Sequence, residues 1–322
     1  MSFYTVLGRA FRGSLVLVLG MACASWSAEF ETPIAITNVT LVPEPGQLVE
    51  GATILLDGGR IAAVGTEITI PSHAEVLDGT GLWAYAGFID AASHVGITEK
   101  GPSAEEKARL LDQEQEVSQG PRTSMQKANR QGVWPHLNIY DLYEVDESAL
   151  EAYRKAGFTT ALSTPHPAII AGKGDVVQLG GKAIRSSIVA PAVTQIFGMG
   201  APVDRESFRN RGYPGSPMGV FALVRQTFLD AQWYRERHLL YGRHPEVLER
   251  VAFDPVLDAM GDLLDRRELV IFAVNTPNEI HHALDLAGEF NQRVAILGGK
   301  EAWKVAARLA AEQVPVIASL DW

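Results

Sequence analysis

An α/β fold is predicted for this 322-residue chain, with a small all-β domain ahead of a longer run of parallel βα units. Three observations lead there. Residues 33–83 alternate short apolar runs with turn residues, as strands do. After Phe88 the pattern changes to strand candidates separated by helical periods. The later strand candidates, LVIFAVN (269–275), RVAILGG (293–299) and VPVIASL (314–320), are almost continuously apolar, which a parallel sheet covered on both faces requires.

The elements follow in order. IAITNVTLV, ATILLDGGRIAAVG and AEVLDGTGLWAYA supply the early strands, and Asp57-Gly58-Gly59 between two of them signals a hairpin. Pro71 and Gly79–Gly81 bound further strands. Residues 99–135 are polar and read as a surface insertion, either a solvated helix or a loop. Leu150, Tyr153 and Ala156 share a helical face, with Gly157 as the stop before the strand FTTALSTP. Residues 168–198 are a β-rich excursion. Within it Gly172-Lys173-Gly174-Asp175 reads as a hairpin turn, because a phosphate loop needs a glycine five residues earlier and Ser or Thr after the lysine. Residues 219–241 form a long helix carrying Phe221, Val224, Phe228 and Ala231 inward. Thr276-Pro277-Asn278-Glu279 is a capping box ahead of the stripe Ile280, Ala283, Leu284, Ala287. Trp303, Ala306, Leu309 and Ala310 repeat that stripe.

Composition narrows the partners. The chain is 47% hydrophobic and 20% charged, in the range of a well-packed globular protein. Its net charge of −10 and lack of Lys/Arg clusters argue against nucleic acid or an anionic membrane surface. Arg9 and Arg12 precede the apolar run 14–24 and a stretch of small residues, so residues 1–28 read as a signal for export to the periplasm or beyond. The apolar run is too short to span a bilayer, although an uncleaved anchor or a lipidated Cys23 are the alternatives. Cys23 is the single cysteine, and without it the exported chain has no thiol or disulfide chemistry.

Residues 51–96 carry a longer signature: GATILLDGGRIAAVG, then Pro71, Asp78-Gly79, and Ala86-Gly87-Phe88-Ile89-Asp90 followed by His94. Together with AGFTTALSTP, IAGKGDVVQL, YPGSPMGVFALVRQTFLDAQWY and ILGGKEAWKVAARL, this resembles the amidohydrolase superfamily, in its imidazolonepropionase-like secreted branch. The resemblance implies a small N-terminal β-sandwich (29–86) and a TIM-type barrel (87–322) with its site at the carboxyl ends of the strands. It also implies further βα units past residue 320, so the expectation is a barrel lacking its last strands.

The activity implied is hydrolysis of a non-peptide carbon–nitrogen bond in a small substrate by a divalent metal, zinc for instance, that activates a bound water. Carried over position by position, the family's ligands are mostly missing. The first histidine is replaced by Ala92, the later ones fall on Phe272 and Gly298, and His94 alone matches. His94 therefore reads either as a metal ligand or general base, or as a polar remnant of an old cleft. His166, after the next strand, is a second candidate, and the two imidazoles together make at most a weak metal site. Asp90 is a further catalytic candidate, or else a structural residue bonded to the amides that follow it. His281 and His282 are expected at the surface, and Trp233, Tyr234 and Tyr241 in packing. The alternative to a hydrolase is a non-catalytic pseudoenzyme that binds a small ligand or a partner through the cleft.

Overall fold

A computed structural model of the chain describes residues 32–97, 132–166, 168–181, 183–199, 214 and 216–318. The proposed signal, nearly all of the polar stretch 99–135 and Cys23 lie outside the described residues. Two compact units divide between Ala86 and Gly87.

In the first unit β1 (Ile34–Val42), β2 (Val49–Asp57), β3 (Arg60–Gly65), β4 (Glu75–Asp78) and β5 (Trp83–Tyr85) form one mixed sheet. β1–β2 and β2–β3 are antiparallel, whereas β4 and β5 both run parallel to β1. Gly58 and Gly59 make the β2–β3 turn at φ 55° and 72°, a left-handed pair that only a hairpin of this kind asks for. Ala35, Val39, Ala52 and Leu55 are its buried residues.

The second unit is built on a seven-stranded sheet in the order β12-β11-β10-β9-β8-β7-β6. These strands are β6 (Phe88–Ser93), β7 (Phe158–Ser163), β8 (Gly172–Gln178), β9 (Ile188–Phe197), β10 (Leu269–Val274), β11 (Val294–Gly298) and β12 (Val316–Ala318). β6–β7 and β9 through β12 pair parallel, and β8 is antiparallel to both β7 and β9. β7 and β9 therefore point the same way, and six of the seven strands end on one rim. The sheet is mixed: the parallel βα pattern expected after Phe88 is interrupted by the antiparallel β8, within the β-rich stretch 168–198. The predicted turn at Gly172–Asp175 is instead the first half of β8, because Lys173 and Asp175 both have buried polar partners there that a surface turn does not supply.

The helices are α1 (Ile139–Leu142), α2 (Glu147–Lys155), α3 (Ile184–Ser187), α4 (Pro217–Arg243), α5 (Pro255–Leu264), α6 (Pro277–Glu289) and α7 (Ala306–Ala311). α2 starts on Asp146, whose side chain accepts from the amides of Ser148 and Ala149, and stops at Gly157 with φ 91°. α4 buries Phe221, Val224, Phe228 and Ala231 as its period requires. α6 has the predicted capping box and buries Ile280, Ala283, Leu284 and Ala287. The stripe assigned to Trp303 is corrected: residues 302–305 form a 3₁₀ turn, Trp303 is exposed, and Ala302, Val305 and Leu309 face the core. The tighter turn shifts the inward positions by one residue.

Packing assigns the two faces of the sheet. Phe197, Val270, Phe272, Val274 and Ile296 share one cluster with the buried residues of α4, α5 and α6, so they face the helices. Alternating with them, Ile196, Ile271 and Ala295 form a separate cluster on the opposite face with Ala171. Around β7 and β8 the helical layer continues with Ala161, Val177, Ile139, Tyr143 and Leu150. Fully burying a Leu, Ile or Phe side chain contributes roughly 1.5–3 kcal/mol, so these layers hold the strands, and hence their rim, in register.

Candidate functional site

The carboxyl ends of β6 and β7 come together through hydrogen bonds made by two buried residues, Ser163 at the end of β7 and Thr164 just after it. The Thr164 amide donates to Ser93 O at 2.8 Å, and its hydroxyl donates to the same carbonyl at 3.1 Å. Ser163 Oγ donates to Val95 O at 2.8 Å. The residue between these two anchored carbonyls is His94. Its Nδ1 lies 2.8 Å from Thr164 O, a carbonyl that can only accept, so Nδ1 carries the proton and Nε2 is the basic nitrogen.

His166 follows on the same β7 loop, and its ring centroid is 4.4 Å from that of His94, the planes tilted by 33°. The two imidazoles expected from separate strands thus meet at the rim. His94 is exposed and His166 half-buried. Asp90 lies elsewhere in β6, where its Oδ1 accepts from the Ala92 amide at 3.2 Å.

The other positions to which family ligands were carried do not join this pair. Phe272 faces the helices, 5.3 Å from Phe197 between ring centroids, so the β10 residues on the opposite face are Ile271 and Ala273. Gly298 has φ 89°, and a Cβ there would lie 2.7 Å from Asn275 Oδ1.

A catalytic metal needs about three protein ligands with a position left open. Two imidazoles fall short of that, and among the described residues no group of three His, Cys, Asp or Glu side chains is arranged to hold a metal ion. Among the described residues, those at the rim do not fit the metal that the resemblance implies.

Sequence reasoning gave Lys173 no role, yet it is the centre of a buried charge cluster. Its ammonium lies 2.6 Å from Glu268 Oε1 and 2.8 Å from Asp262 Oδ2. Burial pulls the Lys173 pKa down, but the two carboxylates outweigh it and hold the group above its ordinary value. For Glu268 burial dominates over Lys173, and its carboxyl is raised. A cavity of about 460 Å³ borders Lys173, lined also by His136, Asn138 and the α5 residues Asp258 and Asp262. Burial lowers the His136 pKa, against a smaller opposing effect of Asp254. The signal for this cluster was a lysine in a short strand, GKGDVVQ, that the sequence also marks with Asp175.

No protein-family profile matches the chain, and no curated protein matches it. Among solved structures, an amidohydrolase from Thermotoga maritima MSB8 superposes with a TM-score of 0.72 at 24% identity, over 89% of this chain and 70% of that one. The chain shares the fold of that protein. A prolidase solved with N-methylphosphonate-L-proline is also similar, at 16% identity and a TM-score of 0.44, over 90% of this chain and 66% of that one.

Proposed function

We propose that this chain is a member of the amidohydrolase superfamily, a hydrolase acting on a non-peptide carbon–nitrogen bond of a small substrate, with His94 and His166 at its centre. The observation that carries the reading is the meeting of two imidazoles from separate strands on the rim where six strands end. The Gly87–His94 motif and the barrel-like sheet support it. In this reading His94, with Nδ1 bonded to Thr164 O, offers Nε2 for proton transfer, and His166 lies against its ring. The imidazolonepropionase-like branch and export through residues 1–28 belong to the same proposal.

A second reading is favoured by the short ligand set. With Ala92 where the first family histidine stands, the chain is a non-catalytic descendant that binds a small ligand or partner through the cleft. Elemental mass spectrometry of the purified chain, followed by a hydrolysis screen over cyclic and linear amides with and without chelator, separates the two. Turnover lost in His94→Ala supports the hydrolase. No turnover on any substrate, with binding of a small amide retained, supports the pseudoenzyme.

A further inference from the structure

We infer that Thr164 is the positioning residue of this site: it locks His94 as the Nδ1–H tautomer and so fixes Nε2 as the one nitrogen available to a substrate. The inference rests on the proposed role of the His94–His166 pair and deepens it. Thr164 contacts the His94 segment three ways. Its amide and its hydroxyl both donate to Ser93 O, and its own carbonyl accepts from His94 Nδ1.

The hydroxyl also lies 3.4 Å from Nδ1. A hydroxyl has a single proton, and here that proton is directed to Ser93 O, so toward the ring Thr164 Oγ1 presents lone pairs only. Two acceptors on one side of the ring leave no place for an unprotonated Nδ1, whose lone pair would face them both. Thr164 itself is 1% exposed. Ser163, fully buried one residue earlier, ties down Val95 on the other side of the histidine, so the backbone cannot turn the ring away. An unrestrained imidazole exchanges between tautomers, and a base that must present one particular nitrogen gains from having that exchange suppressed.

The test is nitrogen NMR on the full chain with isotope-labelled histidine, above the imidazole titration range, with His94 assigned from the loss of its signals in His94→Gln. The expected spectrum for the wild type shows His94 as one tautomer, protonated at Nδ1 and unprotonated at Nε2. Thr164→Ser, which keeps the hydroxyl, should retain that signature, and Thr164→Val, which removes the hydroxyl but keeps the main-chain carbonyl, should admit a measurable population of the Nε2–H form. A wild-type His94 that averages between tautomers, or that carries its proton on Nε2, overturns the inference. A folded Thr164→Val with an unchanged spectrum overturns the side chain's part in the lock and leaves it to the main-chain carbonyl alone. Because the readout is spectroscopic, absence of hydrolysis would count against the proposed activity and leave this result standing.

Discussion

Lys173 and Glu268 form an ion pair at 2.6 Å with both side chains at least nine-tenths buried, joining β8 to the residue just before β10. Removing one partner of such a pair leaves an uncompensated buried charge, which costs about 3–5 kcal/mol. Lys173→Met is therefore expected to destabilise the chain by about that much in denaturant unfolding. Glu268→Gln should cost less, because Asp262 still pairs with the ammonium and burial already opposes the Glu268 charge. The double variant should recover part of the Lys173→Met loss. Additive losses would show that the pair is not coupled.

Asp175 gives a pH prediction. It is almost fully buried and accepts from the Ala192 amide at 2.7 Å, and burial raises its pKa above the ordinary carboxylate value. A raised folded pKa means that the folded state holds the proton more tightly than the unfolded one. Its contribution to stability is full below the unfolded pKa of 3.8 and is lost as pH rises through the folded value. Asp175→Asn does not titrate, so its stability relative to wild type should improve as pH is raised from acid toward neutrality. A difference between the two proteins that stays flat across that range would count against a raised Asp175.

The capping box of α6 was legible in the sequence and predicts an order of effects. Thr276 Oγ1 accepts from the Glu279 amide, while Glu279 Oε2 accepts from the amides of both Asn275 and Thr276, at 2.9 and 3.1 Å. Thr276→Ala should cost about 1 kcal/mol, as cap removals typically do. Glu279→Ala strands two backbone donors in place of one and should cost at least as much, measured by thermal unfolding.

What could be read in advance was set by local physics. The Gly58-Gly59 hairpin, the stop at Gly157, the inward face of α4 and the apolar strands β10 and β11 each follow from backbone preference or periodicity within a dozen residues. The antiparallel placement of β8 was not legible, because Gly172-Lys173-Gly174-Asp175 looks like a turn until Asp262, Glu268 and Ala192, all distant in sequence, are brought beside it. The His94–His166 contact lay between these cases. Two strands predicted to end on one rim bring both histidines there, but the ring separation depends on the Thr164 bonds, which no spacing encodes.

The faces of β10 and β6 yield the last prediction. Phe272 belongs to the helix-facing core with Phe197 and Phe228, so Phe272→His inserts a polar ring where it has no partner and should destabilise by about 3–5 kcal/mol, the range for losing a buried aromatic, without raising zinc affinity. Ala92 stands two residues before His94 near the end of β6, where the register against β7 shifts. Ala92→His restores an imidazole at the position of the family's first histidine and should raise zinc affinity in a competition assay with a chromogenic chelator, while leaving the unfolding midpoint nearly unchanged. If Phe272→His gains zinc affinity and Ala92→His does not, the face assignment of β10 is reversed and the rim must be rebuilt around Phe272.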